Sequence, residues 1–164
     1  AYVTSANELT LDLPDIVFND HLTIYGSKRN VELITYGEGH TESDLFLYLP
    51  DDHIAFLGDL LFINNQPWTG DGDPIKWTSY LSQISHLDIK WIVPGHGPVG
   101  TLADITPMEG YFQNVEDAAR SFHEKGISPD TIQKINSPPP YDSWFLSNFY
   151  KSNVISEYHR IFPK

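Results

Sequence analysis

The 164-residue chain has no cysteine. That excludes a disulfide framework, a thiolate zinc site and a cysteine nucleophile, and leaves the redox compartment open. Positive charge is scarce, with 10 Lys+Arg against 22 Asp+Glu and a net charge of −12. So acidic a chain is a poor partner for nucleic acid, which needs clustered basic side chains, or for an anionic membrane surface. Long apolar runs are missing too. The longest, Leu45–Leu49 and Ile54–Leu57, are strand-length, far below the ~18 residues of a membrane-spanning helix. No basic segment leads into an apolar one, so no signal peptide is visible. Neither a Gly-x-Ser-x-Gly elbow nor a Gly-rich phosphate loop occurs, which argues against a serine hydrolase and a nucleotide-binding fold.

What is present suits one folded domain. Aromatic residues make up 13% of the chain and charged residues only 20%, unlike a disordered polymer. Asp15–Phe18 reads as a short strand. His21–Tyr25 and Val31–Tyr36 alternate around Gly26-Ser27-Lys28-Arg29-Asn30 as a hairpin. Asp44–Leu49 and His53–Leu57 are almost continuously apolar, the pattern of strands covered on both faces. Asp73-Pro74 starts a helix, with an acceptor at the N-cap and proline at the first position. Trp77, Leu81 and Ile84 then fall on one face. Lys90–Val93 is a strand, and Thr106-Pro107-Met108-Glu109 reads as a capping box opening a helix that Gly126 stops. Ser128-Pro129 opens a short helix, and Ser143–Phe162 reads as helical in two pieces. The order predicts an α/β layered fold, a mixed sheet covered by helices.

Three residues with metal-binding side chains stand in glycine-containing loops at strand ends: His40 in Gly39-His40-Thr41, Asp59 after Gly58, and His96 in Pro94-Gly95-His96-Gly97-Pro98. Imidazole and carboxylate are the donors that zinc and related divalent ions take, and strand-end loops are where α/β sheets gather functional groups. Each residue alone has an ordinary reading, as a turn aspartate or a surface histidine. Asp44 reads either as a partner of His40 or as a strand-start cap. Trp68 and Asp71, close behind Asp59, read as a substrate-cleft wall or a solvated loop. Tyr141, Trp144, Phe145, Phe149 and Tyr150 read as core or as a lid. His53, His86, His123 and His159 read as turn, helix-end and tail residues.

Taken in order, Gly39-His40-Thr41-x-Ser43-Asp44-Leu45, Leu47-Tyr48-Leu49-Pro50, Ile54-Ala55-Phe56-Leu57-Gly58-Asp59-Leu60-Leu61-Phe62 and Val93-Pro94-Gly95-His96-Gly97-Pro98 resemble the second half of metallo-β-lactamase-fold hydrolases. The glyoxalase II-like and lactonase-like branch is the most similar. The resemblance runs from about Asp15 to Gly126. It implies half of an αββα sandwich over residues 1–136, with a helical tail at 137–164 packed on it. It also implies two zinc ions in the complete fold, with manganese or iron as alternatives. His40 would bind the first ion, Asp59 would bridge, and His96 would bind the second, as the catalytic set. A metal-activated water would attack an ester, thioester, lactone or lactam of a small molecule.

The family's other signature, His-x-His-x-Asp-His, is absent: His21 is followed by Leu22-Thr23 and His53 by Ile54-Ala55. The chain is therefore expected to be the C-terminal half of a longer protein. One face of the apolar strands should then be open, inviting self-association or the missing N-terminal half. The competing expectation is a non-catalytic half-domain serving as an assembly or binding module.

Overall fold

The computed structural model describes Thr10 and residues 12–163. Five strands form one sheet in the order β1 (His21–Tyr25), β2 (Asn30–Gly37), β3 (Asp44–Leu49), β4 (Ile54–Phe62) and β5 (Trp91–His96). β1 to β4 run antiparallel as a meander, and β5 joins β4 in parallel. The parallel step needs a crossover, which α1 (Pro74–Ile84) supplies. After β5 come α2 (Ile105–Glu124), the short α3 (Pro129–Ile132) and α4 (Phe149–Ile161), with 3-10 turns at Leu102–Asp104 and Tyr141–Ser143. This is the α/β arrangement expected, a mixed sheet with helices packed on it.

The register decides which side chains share a face. Tyr48, Ala55 and Ile92 stand opposite one another across β3, β4 and β5 and are buried with Phe46 and Leu57. They meet Trp77, Tyr80, Leu81 and Ile84 of α1 and Met108, Tyr111, Phe112 and Val115 of α2 in one core. The next row, Leu22, Leu33, Leu47, Phe56 and Val93, points the other way, because successive side chains alternate. On that second face Leu45 is 50%, Phe56 42% and Trp91 54% exposed. Among the described residues nothing layers over it. The strands carry apolar residues on both faces, and among the described residues the helices cover one.

Several local expectations hold. Asp73 caps α1, its Oδ1 accepting from the N–H groups of Ile75 (3.0 Å) and Lys76 (3.3 Å), with Pro74 in the first turn. Gly126 ends α2 in the left-handed region (φ 65°). The tail forms a 3-10 turn and one helix, and α4 packs along α2.

Others are corrected. Asp15–Phe18 is not a strand: Ile16 and Val17 are exposed and pair with nothing, so an apolar run without a neighbouring edge gains no ladder. The capping box sits at Thr101 and Asp104, not at Thr106. There the Thr101 side chain accepts from Ala103 N–H (3.3 Å) and Asp104 Oδ2 accepts from Thr101 N–H (2.8 Å). Those bonds cap the 3-10 turn Leu102–Asp104, which runs straight into α2 at Ile105, so Thr106 and Pro107 fall inside the first turn of α2, where a missing N–H costs nothing. Finally, Gly58-Asp59 does not close a strand. β4 runs through both to Phe62, with a break in register at Gly58.

Candidate metal centre

Two of the three candidate ligands, Asp59 and His96, come together where β4 and β5 run side by side. Asp59 lies within β4 and His96 closes β5, and the parallel pairing of these strands brings Asp59 Oδ1 to 3.5 Å from His96 Nε2. The side chains are 45% and 48% exposed, so both carboxylate and imidazole can still take a ligand. Gly95 makes the approach possible. A Cβ there would run into Asp59 Oδ1 and the Gly58 backbone.

His96 stacks on Phe62, with ring centroids 4.8 Å apart and planes 13° from parallel. The His40 ring rests on the same phenylalanine (5.8 Å) and edge-on against Trp77 (5.3 Å). Phe62 and Trp77 are buried, and Trp77 is fixed by its indole N–H donating to Leu60 O (2.9 Å). A rigid aromatic floor therefore holds both histidines. The loop carrying His40 is clamped by Asp44, whose carboxylate accepts from Thr41 N–H (2.9 Å) and Thr41 O–H (3.0 Å). Asp44 is thus a turn-closing residue one step removed from His40. An exposed link from Lys76 Nζ to Glu38 Oε2 (2.6 Å) ties the same loop to α1, and that hydrogen bond raises the Lys76 pKa.

Trp68 and Asp71 meet each other, the indole N–H donating to Asp71 Oδ2 (2.9 Å). Asp71 lines an open cleft of about 560 Å³ with Thr41, Glu42, Ser43 and Gly70, on the His40 side of the site. The tail aromatics divide: Trp144 and Tyr150 are buried in the core, while Phe145 is 76% exposed. His86 closes α1, its ring bonded to Ser82 O (2.7 Å). His123 stacks on Phe162 at 3.6 Å, and His53 lies beside Asp88 (3.1 Å). None of these joins the site.

Two imidazoles and a carboxylate without thiolate suit zinc, manganese or iron by donor type. Their number and spacing do not close a site. Among the described residues no group of three or more His, Asp or Glu stands close enough to hold an ion. Asp59 and His96 form a pair, and His40 is held apart on the far side of Phe62. The roles of Phe62, Trp77 and Gly95 were not read from the sequence. The first two look like ordinary core residues there, and only the glycine's place beside His96 hinted at a close approach.

A family model described as the metallo-beta-lactamase superfamily matches residues 4–96, more than half of the chain. The chain belongs to the metallo-beta-lactamase superfamily. It is similar to the Metallo-beta-lactamase type 2 of Bacteroides fragilis, at 29% identity over 108 residues, 58% of this chain and 43% of that protein. A metallo-beta-lactamase structure from Pontibacter korlensis matches at 28% identity and a TM-score of 0.58, covering 68% of this chain and 54% of that one. The sec-alkylsulfatase Pisa1 from Pseudomonas sp. shares the fold at 13% identity and a TM-score of 0.65, over 93% of this chain and 27% of its own. The chain spans about half the length of the lactamases it matches. No described helix is long and apolar enough to cross a membrane.

Proposed function

We propose that this chain carries the second set of metal ligands of a metal-dependent hydrolase: His40 for one ion, Asp59 as the bridge and His96 for the other. One observation carries the reading. Asp59 Oδ1 and His96 Nε2 lie 3.5 Å apart with half of each side chain open to solvent, on a superfamily member. An exposed carboxylate–imidazole pair gains little from its own contact in water, and both groups are donors that a shared cation can take. Zinc is the cofactor proposed, with manganese or iron fitting the same donors. Such an ion, when bound, supplies a Lewis acid and a water nucleophile at neutral pH.

The chain's own residues do the rest. Asp59 offers two oxygens in different directions, and the Phe62 floor fixes the imidazole planes. The cleft beside Thr41 and Asp71 gives a small molecule room next to His40, with Trp68 behind it. The bond proposed for attack is an ester, thioester, lactone or lactam, and the lactamase relatives support the last. The remaining ligands would come from polypeptide beyond these 164 residues or from a partner copy packed on the open sheet face. We take residues 1–136 as the half-domain and 137–164 as its helical tail.

The test is metal content by elemental analysis after equilibration with zinc, beside His40→Ala and Asp59→Ala. Zinc retained by the wild type and lost from both variants is the expected result. Equal content in all three would sink the reading and leave a non-catalytic module built on the same sheet.

A further inference from the structure

The loop 63–73, between β4 and α1, bears on both histidines through its backbone. At its start Ile63 N–H donates to His96 O (2.9 Å). At its end Asp73 N–H donates to Gly39 O (3.3 Å), and Gly72 lies so close to Gly39 and His40 that a Cβ there would run into their carbonyl oxygens.

The middle of this loop is held by the C-terminal helices. Asn153 of α4 is fully buried. Its Nδ2 donates to Pro67 O (2.7 Å) and to the Tyr111 hydroxyl (2.8 Å), and its Oδ1 accepts from Thr69 N–H (3.2 Å). Gln66, also fully buried, donates from Nε2 to Ser137 Oγ (2.7 Å) and Tyr141 O (2.9 Å), and accepts from the Tyr111 hydroxyl (3.4 Å). Both amide protons of each carboxamide are used. A buried polar network satisfied in this way fixes direction as well as depth, which apolar packing alone does not. Two of its bonds end on loop backbone, at Pro67 and Thr69, either side of Trp68.

We infer that Asn153 and Gln66 are positioning residues for the candidate centre: through loop 63–73, α4 and the tail set where His40 and His96 stand. The consequence for metal binding rests on the hydrolase reading, while the positioning itself does not.

The test compares Asn153→Ala and Gln66→Ala with Val154→Ala. Val154 is the next residue on α4, equally buried, and makes none of these hydrogen bonds. Each variant is studied at pH 8.5, below its own melting range, by NMR of the histidine ring protons. The shifts of His40 and His96 report ring currents from Phe62 and Trp77. Asn153→Ala and Gln66→Ala are expected to move both, with His86 unmoved and the Ile63 and Asp73 amides exchanging faster. Val154→Ala is expected to lower stability and leave the two rings in place. Unmoved rings in the network variants, or equal movement in Val154→Ala, overturns the inference. Asn153→Ser, which keeps a donor and leaves a smaller hole, substitutes if Asn153→Ala does not fold. Cobalt titration is the second arm, with affinity falling several-fold in Asn153→Ala and unchanged in Val154→Ala. A wild-type chain that takes up no cobalt counts against the hydrolase reading alone, and the ring shifts still decide the positioning.

Discussion

The two faces of the sheet are nearly equal in composition and opposite in fate. One presents Phe46, Tyr48, Ala55, Leu57 and Ile92 to the helices, each no more than 7% exposed. The other presents Leu22, Leu33, Leu47, Phe56 and Val93 in a single cross-strand row, with Phe56, Leu45 and Trp91 about half open. The hydrophobic pattern of a strand records the cover it is built for, not the cover a given length of chain supplies. Of the candidate ligands, His96 closes β5 beside Asp59 of β4, and His40 stands in the loop before β3.

Breaking the covered face should give the largest effect. Trp77 is fully buried, donates to Leu60 O, and forms part of the floor under His40. Trp77→Ala should cost about 3–5 kcal/mol in urea unfolding. A cost below about 1 kcal/mol would mean that α1 is not seated on the sheet as described.

The helical layer itself gives a middle-sized effect with a pH signature. Tyr150 is buried and its hydroxyl donates to Asn114 Oδ1 (2.7 Å), and burial pushes its pKa from 10.0 up to about 12. The folded value lies above the unfolded one, so this stabilisation is complete below pH 10 and fades as pH rises through about 12. Tyr150→Phe should cost about 1 kcal/mol at neutral pH and remove part of the alkaline loss expected in unfolding curves between pH 10.0 and about 12. An alkaline limb identical in both proteins would refute the assignment.

The open face should respond in the opposite way. Phe56→Lys should change stability by no more than about 0.5 kcal/mol and reduce self-association in sedimentation velocity, because it breaks an exposed apolar row. A penalty as large as that of Trp77→Ala would show that this face is covered in solution.

How much of this was legible beforehand follows from the same contrast. The strands β1 and β3 and the start of α1 were readable residue by residue, since alternation, apolar runs and the Asp73-Pro74 cap are local signals. The three candidate ligands stand out in the sequence as residues beside glycines at strand ends, a description that fits His96 at the end of β5 but not Asp59, which lies inside β4. What was not readable depends on neighbours. Asp15–Phe18 has strand composition but no edge to join. Thr106 has capping chemistry, but the 3-10 turn capped by Thr101 and Asp104 runs straight into the helix and starts it at Ile105. The continuation of β4 through Gly58-Asp59 to Phe62 depends on β5 lying alongside. The support of loop 63–73 by Asn153 joins positions 84 and 86 residues apart, a separation at which sequence pattern says nothing.

The smallest effect lies on the outer side of the covering helices. Glu109 of α2 lines a cleft with Thr78 of α1 and Glu157 and Arg160 of α4, and burial raises its pKa above the usual carboxylate value. A raised folded pKa means that ionisation of Glu109 opposes folding. Its contribution is most favourable below the unfolded carboxylate pKa and is lost as pH rises through the folded one. Glu109→Gln removes that charge, so it should raise the urea midpoint slightly at pH 7, by less than about 0.5 kcal/mol, and leave it unchanged at pH 3, where both side chains are neutral. A gain of equal size at both pH values would assign the effect to packing rather than charge. The helices that close one face of the sheet would then carry no electrostatic cost at this position, and burial of Glu109 would have to be weaker than its place in the cleft implies.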